Sequence, residues 1–239
     1  MPHKVLVIDV GGTHIKILAS GHKTERKTDS GPKMTPQEMC RWVNTAVKAS
    51  PGKKPQNAAW QYDVAAIGYP GPVIHGKPVR EPFNLGKGWV GFDFRKALGC
   101  PVKIVNDAAM QAIGDYEGGR MLFLGLGTGL GSAMIVDGLV EPMELAHLPY
   151  RNGKTYEDYL GLRGLKRVGK KKWRFYVTRV VKELTAALDP EYVVLGGGNA
   201  TKLKTLAPKT RLGNNKKAFT GGFRLWAQSE GKRTSVVEE

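Results

Sequence analysis

Apolar residues in this chain gather in short runs that stop abruptly at glycine or at a pair of polar residues. KVLVIDV and HIKILAS, within residues 3–19, predict two strands around a turn, the first apolar and β-branched, the second alternating. Thr35, Pro36 and Glu38 predict a helix start: an N-cap hydroxyl, a proline at the first helical position and a capping-box glutamate. Met39, Trp42, Val43, Ala46 and Val47 follow at helical spacing. SPGKKPQN, 50–57, reads as a polar loop. VAAIGYPGPV, 64–73, predicts a strand entering a rigid Pro-Gly-Pro turn, EPFNLGKGW, 81–89, an aperiodic loop, and GFDFRKALG a short helix stopped by Gly99 and Pro101. VKIVND, 102–107, is a strand finishing on two polar residues, and AAMQAIGDYEGG after it is helical.

RMLFLGLGTGLGSAMIVDG, 120–138, returns to strand, glycine turn and strand. Laid under the N-terminus, MLFLGLGTG matches VLVIDVGGT: an apolar strand runs into a glycine–threonine turn before a second strand. This weak internal repeat predicts two similar halves, each donating one phosphate loop. Residues 155–188 read as helical and basic, with Phe175 or Tyr176, Val177, Val180, Val181, Leu184 and Leu188 on one face. DPEYVVLGGGNA, 189–200, predicts a strand, three glycines and a helix start. The tail from Lys202 is basic and loop-rich; AFTGGFRLW is a candidate last helix weakened by its two glycines.

Composition sharpens this picture in two places. The 239 residues suit one large domain or two small ones, and the 31 glycines cluster after apolar runs, as tight strand exits do. Lys and Arg number 37 against 21 Asp and Glu, a formal charge of +16, which attracts polyanions or serves solubility alone. The two cysteines, Cys40 and Cys100, make neither a disulfide framework nor a CxxC site, and the expectation is a reducing, cytoplasmic setting. MPHKVLVIDV enters a strand without a signal-peptide core, and no apolar run is long enough to span a bilayer.

The chemistry gathers at three glycine turns that follow apolar strands: Gly11-Gly12-Thr13, Gly127-Thr128-Gly129 and Gly196-Gly197-Gly198. Glycine lets backbone N–H groups approach an anion closely, and such nests hold phosphate. A hairpin explains one such turn by itself; three, two of them in matching contexts, point to a nucleotide or phosphate ligand. No GxxxxGK[ST] is present, and GLGTGLG is followed by apolar SAMIV, a strand, where a dinucleotide fingerprint opens a helix.

IDVGGTHIK, the strand-end pair Asn106-Asp107, LGTGLGSA and ELAHL with a later glutamate resemble the ROK family of sugar kinases, in the order that family keeps them. NLGKGW, GKKKW and LGGGNA are similar to its polyphosphate glucokinase branch. The resemblance implies an α/β, actin-like or hexokinase-like ATPase fold: two ribonuclease-H-like domains, 1–108 and 109–239, with a cleft between them and a last helix that can pack back on the first. It implies that Asp9 holds Mg²⁺ through water, that Gly11, Gly12, Thr13 and Lys16 line the donor phosphates, and that Gly127, Thr128, Gly129, Gly197 and Gly198 continue that lining. Asp107 is implied as catalytic base, taking the proton of a sugar hydroxyl as it attacks, an effect of roughly 10²–10⁴-fold; an N-cap role would account for it equally. Asn84, Asn106, Glu144, His147 and Glu157 are implied as sugar contacts. Ala146 stands where the family usually carries glycine, and a methyl group there could crowd the loop and alter sugar selectivity or turnover. The family's cysteine cluster after His147 has no counterpart, which implies no structural zinc.

The run RGLKRVGKKKWR, 163–174, is either a solvated helix face or a track for a long polyanion, which Lys202, Lys204, Lys209, Arg211, Lys216 and Lys217 could extend. No helix-turn-helix, RRM or zinc finger accompanies it, so nucleic acid is not expected. The expected ligands are glucose with inorganic polyphosphate, ATP or both, with a homodimer left open and no membrane partner. An ATP-dependent glucokinase or mannokinase, and a non-catalytic sugar or polyanion sensor, are the rival readings.

Overall fold

The computed structural model describes residues 3–48 and 58–227, so the loop expected at 50–57 lies outside the described residues. The chain divides into two compact units, which among the described residues are 3–110 joined by 218–227, and 111–217.

The first unit opens with β1 (Val5–Val10), β2 (His14–Ala19) and β3 (Arg26–Asp29). Helix α1 (Pro36–Ala46) starts at the capping box formed by Thr35 and Glu38, with Pro36 in its first turn. Strands β4 (Val64–Tyr69), the short ribbon β5 (Val73–Ile74) and β6 (Lys77–Pro78), helix α2 (Phe94–Leu98), β7 (Val102–Asn106) and α3 (Asp107–Asp115) follow. Gly99 ends α2 in the left-handed conformation, at φ 70°. The sheet order is β3-β2-β1-β4-β7, the first three strands antiparallel and the last three parallel. Strands β1 and β4 are buried almost throughout, as parallel central strands must be, and α1 covers one face through Met39, Cys40 and Val43.

The second unit repeats this order. β8 (Arg120–Leu126), β9 (Leu130–Val136) and β10 (Leu139–Met143) form an antiparallel meander, and a small ribbon, β11 (Pro149–Arg151) with β12 (Lys154–Thr155), precedes α4 (Tyr156–Leu160) and α5 (Leu162–Leu188). β13 (Tyr192–Gly196) and β14 (Thr210–Leu212) complete the order β10-β9-β8-β13-β14, again with the last three parallel. The repeat in the sequence is thus a repeat of topology: β1 corresponds to β8, β2 to β9 and β4 to β13. Trp173, Val177, Val180, Val181 and Leu184 bury the inner face of α5, whereas Phe175 is exposed and Tyr176 half-buried. The helical reading of 155–188 is corrected at two glycines: Gly161 separates α4 from α5, and Gly169 (φ 75°, ψ 160°) breaks α5 inside the basic run.

The last helix, α6 (Lys217–Arg224), forms despite Gly221 and Gly222. Gly222 packs through its lack of a side chain: a Cβ there would run into the Val7 side chain of the first sheet. Phe219 joins Val5, Val7 and Val105 in the same apolar cluster, and the Trp226 indole N–H donates to Ala65 O at 3.0 Å. No described helix is long and apolar enough to cross a membrane.

Candidate active site

The turn between β1 and β2 is built by hairpin register and one serine. Asp9 sits opposite Lys16 across the two strands. Gly11 N–H donates to His14 O at 3.0 Å, Ser30 Oγ donates to Gly11 O at 2.6 Å and Ser30 N–H to Thr13 O at 2.9 Å. Among the described residues nothing accepts the N–H of Gly12 or Thr13. Two successive unpaired N–H groups in a rigid turn form a nest for an anion. Gly12 is required by close approach: a Cβ there would lie 2.8 Å from Cβ of Asn84, which brings the exposed Asn84 against this turn. The Asn84 loop is closed at its base by Glu81, whose carboxylate accepts from Trp89 N–H at 3.1 Å and Val90 N–H at 3.4 Å. Burial raises the Asp9 carboxyl above its usual range, Lys16 draws it down and Glu25 pushes it up again. No hydrogen bond to a described residue relieves that carboxylate.

Asn106 and Asp107 follow at the end of β7. The Asn106 side chain caps α3: its Oδ1 accepts from Ala109 N–H at 3.2 Å and shares Ala108 N–H with Asp107, at 2.9 Å, while its Nδ2 donates to Gly71 O at 3.0 Å. Its remaining amide hydrogen is all it can offer a ligand. Asp107 is half-buried in the first turn of α3, with Oδ1 accepting from Ala108 N–H at 2.8 Å. Gly68 lets α3 lie close to β4, since a Cβ there would strike the end of Met110.

In the second unit the β8–β9 turn repeats the nest. Gly127 N–H is held by Gly125 O and Gly129 O, and among the described residues nothing accepts the N–H of Thr128 or Gly129. The next N–H, that of Leu130, donates to Glu157 Oε2 at 3.3 Å, and a Cβ on Gly129 would overlap the same oxygen. Glu157 is also paired with Arg163 at 3.2 Å, so this carboxylate braces the turn in addition to any ligand contact. Helix α5 starts on the turn: Leu162 N–H is shared between Gly127 O at 3.2 Å and Thr128 O at 3.1 Å. Glu144 and His147 are brought together on a single 3-10 turn, Leu145–His147, with Oε2 and Nε2 3.5 Å apart and both side chains exposed. Ser132, fully buried, holds that turn by donating to Met143 O at 2.6 Å and accepting from Leu145 N–H at 3.3 Å.

Ala146 lies on this same 3-10 turn. Its methyl group is buried in the core of the second unit and its backbone is outside the left-handed region. The third glycine turn lies beside the second: Asn199 Nδ2 donates to Gly127 O and Asn199 N–H to Leu126 O, both at 2.9 Å.

The ROK family matches residues 5–141, more than half of the chain. The chain belongs to the ROK family. A polyphosphate glucokinase of Mycobacterium tuberculosis is 31% identical over 84% of this chain and 80% of its own length. Among solved structures, the inorganic polyphosphate/ATP-glucomannokinase of Arthrobacter sp. strain KM superposes with a TM-score of 0.79 at 23% identity, covering 94% of this chain and 98% of that one. A ROK glucokinase of Streptomyces griseus, in complex with glucose and AMPPNP, gives 0.72 at 17% identity, covering 95% and 100%. These structures share the actin-like, hexokinase-like fold of this ROK chain.

Other features of this ROK chain lie away from the turns. An open depression of about 420 Å³, lined by Glu117, Glu191, Tyr192, Lys209, Thr210 and Arg211, sits where β13 and β14 begin, at the far end of the sheet from the glycines. Burial pushes the Cys40 thiol up to about 12 and raises Cys100 as well, which disfavours the thiolate form of both. The basic set divides. Lys166, Lys170, Lys171 and Lys172 are exposed, whereas Arg163 pairs with Glu157, Arg167 lies over the Tyr159 ring, Lys202 donates to Asn199 at 2.7 Å and Arg211 pairs with Asp115 and Glu117. Ser30, Ser132, Asn199 and Glu81 were invisible to sequence reasoning because each acts on backbone distant along the chain or inside an aperiodic loop.

Proposed function

We propose that this chain transfers a phosphoryl group to the 6-hydroxyl of glucose, with inorganic polyphosphate as donor and ATP as a second donor. The observation that carries the reading is the pair of equivalent hairpin turns, each with two successive N–H groups that no described residue accepts, the first flanked by Asp9 and Lys16. Phosphoryl transfer asks mainly for positioning and charge stabilisation, which fixed backbone N–H groups and one lysine supply. The similarity to polyphosphate glucokinase of M. tuberculosis supports the same chemistry.

In this reading Asp107 accepts the proton of the attacking hydroxyl, held at the start of α3 by the Asn106 cap. Asn84, Glu144, His147 and Glu157 hydrogen-bond the sugar, and Asn106 adds its one free amide hydrogen. Gly12, Thr13, Thr128 and Gly129 bind phosphate oxygens through N–H, and Lys16 adds a positive charge. Asp9 suits Mg²⁺: its desolvated carboxylate has no hydrogen bond from a described residue to relieve it. No cluster of three His, Cys, Asp or Glu occurs among the described residues, which suits a cation held mainly by water and donor phosphates. Bound there, the ion would neutralise charge on the donor oxygens. The exposed Lys166, Lys170, Lys171 and Lys172 lead away from the second turn along α5 and suit a long polyanion.

Glucose 6-phosphate formation, measured with Mg²⁺ and glucose against polyphosphate and ATP in parallel, tests this reading. A higher kcat/KM with polyphosphate that falls steeply with added salt is expected. ATP as sole donor would reduce the lysines to a solvated face, and no product with either donor would refute the kinase reading.

A further inference from the structure

The third glycine turn differs from the other two in one hydrogen bond. Gly12, Thr13, Thr128 and Gly129 keep their N–H groups unpaired among the described residues, but Gly197 N–H donates to Asn215 Oδ1 at 3.1 Å. The same oxygen accepts from Gln111 Nε2 at 3.2 Å, so both its lone pairs are used. An amide oxygen of the chain's own therefore stands where a ligand oxygen would stand.

The turn is closely packed where Asn215 meets it. Gly197 is at φ 80°, and a Cβ there would lie 2.5 Å from Leu126 O; a Cβ on Gly196 would lie 2.6 Å from Gln111 Nε2. Asn199 ties the turn to Leu126 and Gly127 from beneath. The cap is also built in: Gly213 N–H donates to Leu195 O at 3.0 Å, Lys217 N–H to Asn214 O at 2.8 Å and Lys216 N–H to Asn214 Oδ1 at 3.0 Å, which fixes the loop carrying Asn215. Asn215 itself is exposed, so a ligand can displace its side chain.

From the second turn a bound phosphate chain has two ways to continue. One follows α5, which starts on the turn and carries Arg163 and the exposed lysines. The other crosses to the third turn, where Gly198 is exposed and a Cβ on it would meet nothing within 4 Å. A polyanion belongs on the first way. A nucleoside, bulky and uncharged, belongs on the second, where Gly198 leaves open space beside the backbone. We infer that Asn215 is a donor-specificity residue, a cap on Gly197 that a nucleotide must displace and that inorganic polyphosphate leaves in place. This rests on the phosphoryl-transfer reading for its role in catalysis, but not for its effect on binding.

Isothermal titration of the full chain with ADP, and separately with inorganic tripolyphosphate, tests it in three proteins: the native chain, Asn215→Ala and Asn215→Asp. Removing a displaceable hydrogen bond should tighten ADP by about twofold to tenfold in Asn215→Ala and leave tripolyphosphate unchanged. Asn215→Asp keeps the acceptor and adds a negative charge, so ADP should weaken below the native value. A merely structural amide would give equal ADP affinities in the native and Asp proteins and a loss for both ligands in Ala. That pattern, identical ADP binding in all three, or no ADP binding in any, overturns the inference. Absence of glucose 6-phosphate with either donor would instead overturn the kinase reading, leaving the order of ADP affinities to decide the cap.

Discussion

The two hairpins that open the two units are the same object with opposite contents. In the first, Asp9 faces Lys16 and borders Gly68 of the neighbouring parallel strand; at the matching places of the second stand Gly125, Gly131 and Gly196. One hairpin carries the charges, and the other has been stripped to backbone. The difference teaches that a repeated topology can divide labour: in the reading proposed above, the first unit supplies the base, the lysine and the metal-binding carboxylate. The second supplies uncharged N–H groups, braced from outside by Glu157 and Asn199. Charge-bearing positions of the first unit should then be worth far more to turnover than any single position in the second.

Asp107→Asn is the largest expected breach of that division. It should lower kcat by roughly 10²–10⁴-fold with the thermal midpoint unchanged, because Asn106 keeps the α3 cap. A near-normal rate would remove Asp107 from the base role. Lys16→Ala comes next, at about 10²-fold in kcat/KM for the donor, the scale of losing one preorganised charge contact. An equal loss from Thr128→Ala would erase the contrast between the hairpins.

Within the second turn the two outer glycines separate bracing from binding. A Cβ on Gly129 would overlap Glu157 Oε2, whereas one on Gly127 would meet nothing within 4 Å. Gly129→Ala should therefore lower the thermal midpoint by about 2–4 °C per kcal/mol lost and raise the sugar KM about tenfold as Glu157 is displaced. Gly127→Ala should leave the midpoint in place and change the donor KM alone. Identical thermal scans for the two variants would mean that Glu157 does not support the turn.

Much of this was legible in the sequence, and the reason is local. Alternation and β-branching write a strand, glycine writes its exit, and Thr35 with Glu38 writes a helix start three residues wide. The matching hairpins, and with them the duplicated sheet, followed from such signals. The break at Gly169 did not, because a glycine inside a helical period is ordinary until its φ is known. The cap at Asn106 was hidden by Asp107 beside it, an equally good capping residue. Asn199 and Asn215 reach partners 72 and 104 residues away, in Gly127 and Gln111, and no periodicity records a polar contact of that span.

Each unit also keeps one desolvated aspartate, and the second differs from Asp9 in having no part in the proposed chemistry. Asp115 ends α3 with a buried carboxyl whose Oδ2 has no close hydrogen-bond partner among the described residues, while Arg211 of β14 donates to its backbone carbonyl and lies 3.7 Å from Oδ1. Burial raises the Asp115 carboxyl above its ordinary 3.8, outweighing the nearby Asn214 N–H, Arg211 and Lys217. Between 3.8 and the raised value the folded chain holds the proton that the unfolded chain has released. Stability contributed by this group is therefore full below 3.8 and is lost as pH rises through the folded value. Asp115→Asn, uncharged throughout, should unfold at a higher urea concentration than the native chain at pH 7, and the two midpoints should converge as the pH falls toward 3.8. This is the smallest of the expected effects, since Arg211 returns part of the burial cost and keeps Glu117 as a partner in the variant. A native chain that is the more stable of the two at pH 7 would mean that the Arg211 pair outweighs burial.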